Sequence, residues 1–258
     1  MSRHFEACVL PMLCLPLLCA MLCGTVAAGE TSFPGQRSED ELRREGFVPL
    51  LDGTSLEAWD VKPWHEGHWT VSDDVLDYDG QGVRSRRQDP SLWTKQAFGD
   101  CQLYCEWRLP AAPEMKPHPI VLYNGDFLMQ EDNPKQRATR MRLDAGDSGL
   151  YFRGSTKCQA NIWSQELGSG EINGYRTDKR MPPEVRRACI PIKNADRPFG
   201  EWNAFLITLE GDGIAMMLNG EQVIDVPHLP DLPERGPIAL QHHGDRVQFR
   251  KIWIRELD

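Results

Sequence analysis

Two predicted strands between Asp147 and Asp178 carry residue types that can bind and orient a polar ligand. Successive side chains of a strand point to opposite faces of its sheet. In the segments 149–153 and 158–163, apolar residues therefore occupy one face, while hydrogen-bonding and aromatic side chains occupy the other. A solvated face usually carries Lys, Glu and Thr, whereas this combination is typical of a surface that grips a sugar. The residues of this face are Tyr151, Arg153, Gln159, Asn161 and Trp163.

A third predicted strand, 237–243, has the same alternation and adds a titratable group. Its apolar residues share one face with His242, whereas Gln241 and His243 lie on the other. If the apolar faces form one core, Gln241 and His243 join the polar face of the two earlier strands. Histidine changes its protonation near neutral pH and so suits a general base. Adjacent histidines on a strand diverge, so this pair is not a two-ligand metal site.

Two carboxylates are candidates for acid or base chemistry. Glu106 lies on the polar face of a strand predicted at 102–109, where a solvated sheet edge is the alternative explanation. Glu171 follows a Gly-Ser-Gly turn, and the flexibility of such a turn can bring a carboxylate over a cleft. The same loop holds three further candidates for ligand binding. They are Tyr175, Arg176 and Asp178, and for the last two an ion pair that only closes the loop is the alternative.

Several catalytic motifs are missing from the chain. It has no E-x-D-x-x-E strand, which would place the two carboxylates that ordinary glycoside hydrolysis needs on one face. It has no G-x-S-x-G elbow, no phosphate-binding loop and no dinucleotide fingerprint. These absences argue against a serine hydrolase, a nucleotide-binding enzyme and a nicotinamide-dependent oxidoreductase.

Short strands and turns must position the candidate residues. Asn124-Gly125 and Asn219-Gly220 each lie between apolar runs, which is the strongest local signal for a hairpin, and Ser72-Asp73-Asp74 separates two further strands. The stretch 110–144 contains one hairpin and is predicted to be an excursion from the sandwich, not a second domain; we call it the excursion. No convincing amphipathic helix and no internal repeat follow the first 45 residues. The pattern predicts an all-β protein, a β-sandwich or jelly roll.

The net charge of the chain limits which kinds of partner it is expected to bind. The 258 residues carry a formal net charge of −9 and a sequence pI near 5.3. Nucleic acids and anionic membranes select for basic surfaces, so neither is expected as the main partner. Colloidal solubility is sufficient to explain the acidity.

The first 28 residues have the features of a signal peptide. Arg3 and His4 precede an apolar run that is short for a membrane span, and Val26-Ala27-Ala28 supplies small residues for cleavage. A lipoprotein signal with Cys23 as its anchor is the second interpretation. We therefore expect an exported protein, periplasmic or extracellular, with a polar linker at 29–45 and a single domain at 46–258.

Four of the eight cysteines lie outside that segment. Cys101 and Cys105 lie four residues apart on a predicted strand, so about 13 Å separates them, at about 3.3 Å per residue. That separation excludes a disulfide between them, and buried free thiols are expected instead. A Cys158–Cys189 disulfide is compatible with an oxidising compartment. The sequence contains no C-x-x-C pair, so a structural zinc site is not expected.

Six segments resemble, in order, the sequence blocks of the 3-keto-disaccharide hydrolase family. They are F-V-P-L-L-D-G-T-S-L-E-A-W, D-S-G-L-Y-F-R-G, G-E-W-N, L-N-G, G-P-I-A-L-Q-H-H-G and V-Q-F-R-K-I-W-I. Asp147 opens the second block where the family usually has Asn. Lys157 and Cys158 precede Gln159 where the family commonly has E-x-Q, and the excursion 110–144 is longer than the typical connection. The resemblance spans residues 46–258.

The resemblance implies a concanavalin A-like jelly-roll sandwich of two antiparallel sheets. It also implies cleavage of glycosides whose glucose has been oxidised at carbon 3. That ketone acidifies the hydrogen on carbon 2, so that removing this proton expels the oxygen on carbon 1, and water can then add. The resemblance implies that the family's site residues correspond to Arg153, Gln159, Gln241 and His243 in this sequence. In this chemistry His243 would be the base, and Arg153 with Gln159 or Asn161 would stabilise the enolate.

The remaining roles stay open at this point. Glu171 or Glu106 would protonate the leaving group, while Trp163 or Tyr175 would stack on the sugar ring. The residues commit to no cofactor; a divalent cation chelating the keto-diol is compatible with the chemistry, but no ligand set in the sequence compels one. The competing function is a non-catalytic, lectin-like carbohydrate-binding module. A purely structural surface domain is a third alternative.

Overall fold

The computed structural model of the protein describes residues 32–257. Three short helices and one 3₁₀ turn accompany the strands: α1 (Glu39–Arg44), α2 (Asn173–Thr177), α3 (Pro183–Ala188) and the turn Pro63–His65. The strands are β1 (Val48–Pro49), β2 (Trp69–Ser72), β3 (Val75–Tyr78), β4 (Leu92–Phe98), β5 (Cys101–Arg108), β6 (Glu114–Pro119), β7 (Thr139–Asp144), β8 (Asp147–Phe152), β9 (Ser155–Trp163), β10 (Asn203–Glu210), β11 (Gly213–Leu218), β12 (Glu221–Val226), β13 (Gly236–Leu240) and β14 (Val247–Glu256).

Two antiparallel sheets form the layers of a sandwich. The large sheet has the strand order β12-β11-β10-β5-β14-β3-β2, with β1 added beside β14, and the small sheet has the order β4-β13-β8-β9. The hairpin β6–β7 forms a separate two-stranded sheet within the excursion. The protein is an all-β, concanavalin A-like jelly roll, so the predicted fold class is confirmed.

The core fills the space between the two sheets because each central strand has one apolar face. Alternate residues of β5, β8, β9 and β13 join one cluster of buried side chains. On β8 and β9 these are the residues that strand parity, the alternation of side chains between the two faces of a strand, assigned to the apolar face: Leu150, Phe152, Cys158, Ala160 and Ile162. The opposite face of the small sheet consequently points away from the core.

Three tight hairpins follow from residues that accept a positive φ. The turns at Asp73-Asp74, Arg153-Gly154 and Asn219-Gly220 have φ values between 51° and 78° at both central positions. Such turns match the twist of the paired strands. The hairpins expected at Asp73-Asp74 and Asn219-Gly220 are present. Arg153, however, lies in a turn and not within β8.

The segment expected to be a linker packs on the domain from Phe33 onward. Ser38 caps α1 and forms a capping box with Glu41. Phe33 and Leu42 are buried against Tyr104 and Trp253 on the outer face of the large sheet. This segment is polar in composition, but two apolar side chains anchor it. The predicted signal peptide lies outside the described residues.

The four cysteines of the domain, Cys101, Cys105, Cys158 and Cys189, are buried free thiols. The expectation for Cys101 and Cys105 is confirmed, whereas the Cys158–Cys189 disulfide is not formed. Burial raises the pKa of both Cys158 and Cys189 to about 12, so neither thiol is reactive at neutral pH. Within residues 32–257, no helix has both the length and the apolar character needed to cross a membrane.

Candidate functional site

The outer face of the small sheet holds a recessed group of amide and aromatic side chains, which we call the amide face: Tyr151, Gln159, Asn161 and Gln241. Strand pairing aligns them, since Tyr151 lies opposite Gln159 and the backbone of Gln241 donates to Gly149. The Nε2 atom of Gln159 donates to Asn161 Oδ1 and to Gln241 Oε1, each at 2.7 Å. All four side chains are buried. Parity correctly predicted that these side chains share a face.

Gln159 orients the two neighbouring amides. Because Asn161 and Gln241 accept through their carbonyl oxygens, their NH₂ groups are directed to other partners. Gln241 also hydrogen-bonds the Tyr151 side chain, and the remaining N–H groups of the two amides are the candidate donors to hydroxyl or keto oxygens.

An aromatic pair borders the amide face at β4. Trp93 stacks on Tyr151 with 5.9 Å between ring centroids and 18° between planes. Trp93 Nε1 donates to Asp89 Oδ2 at 3.0 Å, and Arg84 donates to the other oxygen of Asp89 at 3.3 Å. Burial raises the pKa of Tyr151, so its hydroxyl stays protonated. Aromatic rings fixed in this way suit stacking against the apolar face of a sugar.

The titratable groups cluster at the opposite border, where β8 begins. His243 Nδ1 lies 3.9 Å from Asp147 Oδ2, and the His243 side chain is 51% exposed. Burial, followed by the negative charges of Asp245 and Asp144, raises the pKa of Asp147 well above its usual value. Asp147 Oδ1 is buried without a hydrogen-bond partner within the described part of the chain. The arrangement combines a solvent-accessible imidazole with a carboxyl group that favours its protonated form.

Trp163 connects this border to a cavity of about 640 Å³. Trp163 lies directly opposite Asp147 in the β8–β9 ladder, and its Nε1 donates to Gly168 O at 2.9 Å. The cavity extends from Trp163 between the β6–β7 hairpin and the loop 194–203.

Arg153 does not belong to this site. Its guanidinium is buried and bound to Asp100, Gly211 O and Pro233 O. Arg153 follows Asp147 by six positions, just past the end of β8, a distance of about 20 Å at about 3.3 Å per residue. Arg153 and His243 therefore lie at opposite ends of β8. The predicted role of Arg153 in stabilising an enolate is wrong, because its turn conformation sends the side chain to the far end of the sandwich.

Glu106 lies on the other side of the molecule. It is fully buried on the outer face of the large sheet, where Tyr104 Oη donates to it at 2.8 Å. Arg250 and Lys251 form ion pairs with it at 2.6 and 3.1 Å. The polar face of β5 was identified correctly, but it points away from the small sheet. Glu106 is thus a structural ion-pair residue.

Glu171 and Arg176 form an ion pair in which both side chains are fully buried. Arg176 also donates to Gly125 O at 3.0 Å and covers the ring of Phe127, so it fastens the tip of the excursion to the sandwich. Glu171 borders the amide face, because its backbone oxygen accepts from Asn161 N, but its side chain is not accessible. It does not supply the leaving-group acid in this conformation.

Tyr175 and Asp178 are also structural. Tyr175 is part of the core, and its hydroxyl donates to Pro230 O at 3.0 Å. Asp178 pairs with Lys157 at 2.9 Å and with Arg180 at 2.8 Å, not with Arg176. The Gly-Ser-Gly loop therefore serves to close the sandwich edge.

Asp147 was not among the catalytic candidates predicted from the sequence, and Trp93, Asp89 and Arg84 were not predicted at all. The alternation of side chains in β4 offered a signal for Trp93, because Trp93 lies between the buried residues Leu92 and Thr94. In the sequence, Asp147 stood out only because it replaces the Asn that is usual in the family. Among residues 32–257, no three His, Cys, Asp or Glu side chains are grouped so as to hold a metal ion.

The model of the 3-keto-alpha-glucoside-1,2-lyase-like domain matches residues 46–255. The chain belongs to this family. The match begins at Gly46, two residues after the end of α1, and includes both sheets of the sandwich. The amide face, His243 and Asp147 all lie within the lyase-like domain.

Two crystal structures of Parabacteroides distasonis proteins, both described as candidate glycosyl hydrolases, have the fold of this lyase-like domain. One is 16% identical with a TM-score of 0.54, covering 87% of this chain and 100% of its own. The other is 18% identical with a TM-score of 0.51, covering 82% of this chain and 99% of its own. At these identities the likeness concerns the fold alone. No curated protein sequence matches the chain.

Proposed function

We propose that this protein cleaves 3-keto-glycosides by abstracting the proton on carbon 2 and eliminating the group on carbon 1. Membership of the lyase-like family and the composition of the amide face support this assignment. The observation that carries it is the pairing of a half-exposed imidazole, His243, with the high-pKa carboxyl of Asp147 at one border of that face.

The chemistry needs one base and one acid. His243 takes the proton from carbon 2, and the electron pair of the broken C–H bond forms an enolate with the ketone at carbon 3. Collapse of the enolate creates the C1–C2 double bond and breaks the bond from carbon 1 to the leaving oxygen. Asp147 gives its proton to that oxygen, and water can later add across the double bond. Base and acid catalysis of this kind each contribute about 10²–10⁴-fold.

The amide face replaces Arg153 as the source of enolate stabilisation. The NH₂ groups of Asn161 and Gln241 are the donors that Gln159 orients. Donors fixed before the reaction stabilise developing charge without reorganisation, and each is worth about 3–4 kcal/mol in other enzymes. Trp93 and Tyr151 supply an aromatic platform for the sugar ring.

Asp147 as the acid distinguishes this chain from the usual family motif, which has Asn at that position. An amide there can hold a leaving group but cannot protonate it. This chain would therefore be less dependent on a good leaving group than relatives with Asn.

The test is cleavage of a 3-keto-glucoside, followed by release of the leaving group. We expect turnover by the wild type and a loss of at least about a hundredfold in His243→Ala, with an unchanged melting temperature because the side chain is half exposed. His228→Ala is the matched control, since His228 is exposed and also faces a single aspartate, Asp212. Equal loss in both variants, or full activity in His243→Ala, would contradict the assignment.

The second candidate is a non-catalytic sugar-binding module. The Trp93–Tyr151 stack beside fixed amides favours it, because that arrangement serves binding without chemistry. Sugar binding by calorimetry without turnover of any 3-keto-glycoside would decide for this module. The absence of any sugar-induced thermal shift would leave only a structural role.

We further propose export to the periplasm or the cell exterior, on the signal-like character of residues 1–28. Detection of a mature chain lacking this segment in an extracytoplasmic fraction is expected. Retention of the full-length chain in the cytoplasm would contradict it.

A further inference from the structure

We propose that the cavity beside Trp163 is an aglycone subsite that binds the aromatic leaving group of the substrate. This inference rests on the proposed function, since it names the class of glycoside that the same site accepts. The cavity has a volume of about 640 Å³, which lies within the ordinary range for small-molecule sites.

The β6–β7 hairpin forms an apolar wall of the cavity. Met115 lies opposite Leu143 and Pro117 opposite Met141 in the hairpin register, so these four residues share one face. Phe199 faces them from the loop 194–203. Met115, Met141, Leu143 and Phe199 are between 43% and 57% exposed, although they are large and apolar. Exposed apolar groups that line a concavity mark a binding surface, and methionine adapts to ligands of varied shape.

The floor of the cavity is polar. Asn194, Asp196 and Asn203 line it together with Trp107. Trp107 Nε1 and Asp196 Oδ1 are buried without a hydrogen-bond partner in the described chain. A wholly apolar occupant, such as a lipid chain, would cover the exposed amide of Asn194 without offering it a hydrogen bond, which is unfavourable. A flat ring that carries hydroxyl or ether oxygens fits both the apolar wall and the polar floor.

The cavity adjoins the position where the leaving group departs. Trp163 shares the sheet face of Gln159 and Asn161 and lies opposite Asp147. Asp147 in turn lies 3.9 Å from His243. A sugar seated on the amide face with carbon 1 near Asp147 therefore directs its leaving group past Trp163 into the cavity. The wall of that cavity comes from the excursion that lengthens this chain relative to typical family members.

The experiment compares phenyl and methyl 3-keto-α-glucosides in the wild type and in Met141→Ser. We expect kcat/KM for the phenyl substrate to fall about tenfold, which corresponds to the loss of one buried apolar side chain. For the methyl substrate we expect less than about a twofold change, because a methyl group does not reach the wall. Comparing each substrate with itself across variants cancels the difference in leaving-group reactivity.

Val48→Ser is the matched control, because Val48 is an exposed apolar residue on the large sheet. It should leave both substrates unaffected. Melting temperatures of both variants should equal that of the wild type, since the substituted side chains are exposed.

A binding measurement keeps the subsite testable apart from catalysis. We expect calorimetry with unoxidised phenyl α-glucoside to give tighter binding than methyl α-glucoside, and Met141→Ser to remove most of the difference. Turnover without aglycone discrimination would overturn the subsite and leave the proposed function standing. Discrimination in binding without turnover would overturn the lyase assignment and support the subsite, whereas equal binding of both glucosides by the wild type would overturn the subsite.

Discussion

The outer faces of the two sheets both carry buried polar side chains in an alternating pattern, yet they are built differently. On the large sheet, Glu106 is enclosed by Arg250, Lys251 and Tyr104, and the segment around Phe33 and α1 packs beside them. On the small sheet, neutral amides bind one another, and the charged groups Asp147 and His243 remain at the border. The first face matches its charges internally, whereas the second keeps donors and a titratable pair at an accessible edge.

This difference separates structural polarity from functional polarity. A buried ion network whose members satisfy one another has no capacity left for a ligand, and its removal affects stability. A face of oriented amides beside a high-pKa carboxyl can exchange partners with a substrate, and its removal affects activity. Strand parity identified both faces but could not distinguish them, because both alternate in the same way.

Breaking the large-sheet network should have the largest effect. We expect Glu106→Ala to lower the free energy of unfolding by about 3–5 kcal/mol, because it leaves two cations near a buried position without their carboxylate. Urea denaturation measures this, and activity of the folded protein should be unchanged. Glu45→Ala is the control, since the Arg37–Glu45 pair is exposed and should contribute less than about 1 kcal/mol. A selective loss of kcat in Glu106→Ala would assign this face to the site.

Breaking the amide face should give a smaller loss of stability with a clear loss of activity. Gln159→Leu removes the donor to Asn161 and Gln241, which we expect to cost about 1–3 kcal/mol of unfolding free energy. The activity on a 3-keto-glucoside should fall about tenfold or more, because the two amides lose their orientation. Gln102→Leu, an amide on the large sheet that donates to Thr208, should leave activity intact. Similar kinetics for the two variants would show that Gln159 is only structural.

The smallest effect should be a pH-dependent change at Asp147. Its raised pKa means that the folded state holds this proton more tightly than the unfolded state. The associated stability is present at low pH and is lost as pH rises through the folded pKa. Asp147→Asn stays neutral, so it should match the wild type below about pH 4. Near neutral pH and above, it should be more stable than the wild type, because the wild-type carboxyl must then either hold its proton or be buried as an anion.

The same variant sharpens the functional comparison. Asp147→Asn should lose most activity on substrates with poor leaving groups, and least on those with good ones, because only the former need the acid. A stability difference that does not vary with pH would contradict the protonation argument. Denaturation at several pH values, together with rates on two leaving groups, measures both effects.

The fold was largely predictable from the sequence. Alternation in β5, β8, β9 and β13 fixes which side chains enter the core, and Asn219-Gly220 requires a tight hairpin. The linker prediction failed beyond Phe33 because composition averages over a segment, whereas Phe33 and Leu42 alone supply the apolar contacts that dock it. The Cys158–Cys189 disulfide is not formed, because an oxidising compartment permits a disulfide but does not impose bridging geometry.

The site was predictable only in part. Gln159, Asn161, Gln241 and Tyr151 were found because parity within a strand is a local property. Glu171 and Arg176 were misassigned because their pairing depends on how the excursion tip packs over α2. Arg153 was misassigned because a hairpin turn ended its strand one residue early, which a period of two cannot reveal.

The sequence by itself determined the strands, their apolar faces and the set of amides on one of them, since each depends on neighbours within a few residues. The tertiary structure decided which polar face is closed by ion pairs, which end of β8 carries the titratable pair, and where the cavity lies. Those features depend on contacts between segments far apart in the chain, such as Asp147 with Asp245, which are 98 residues apart, and with His243. Local periodicity carries no information about such contacts, because burial and charge pairing are fixed only when the sheets close on each other.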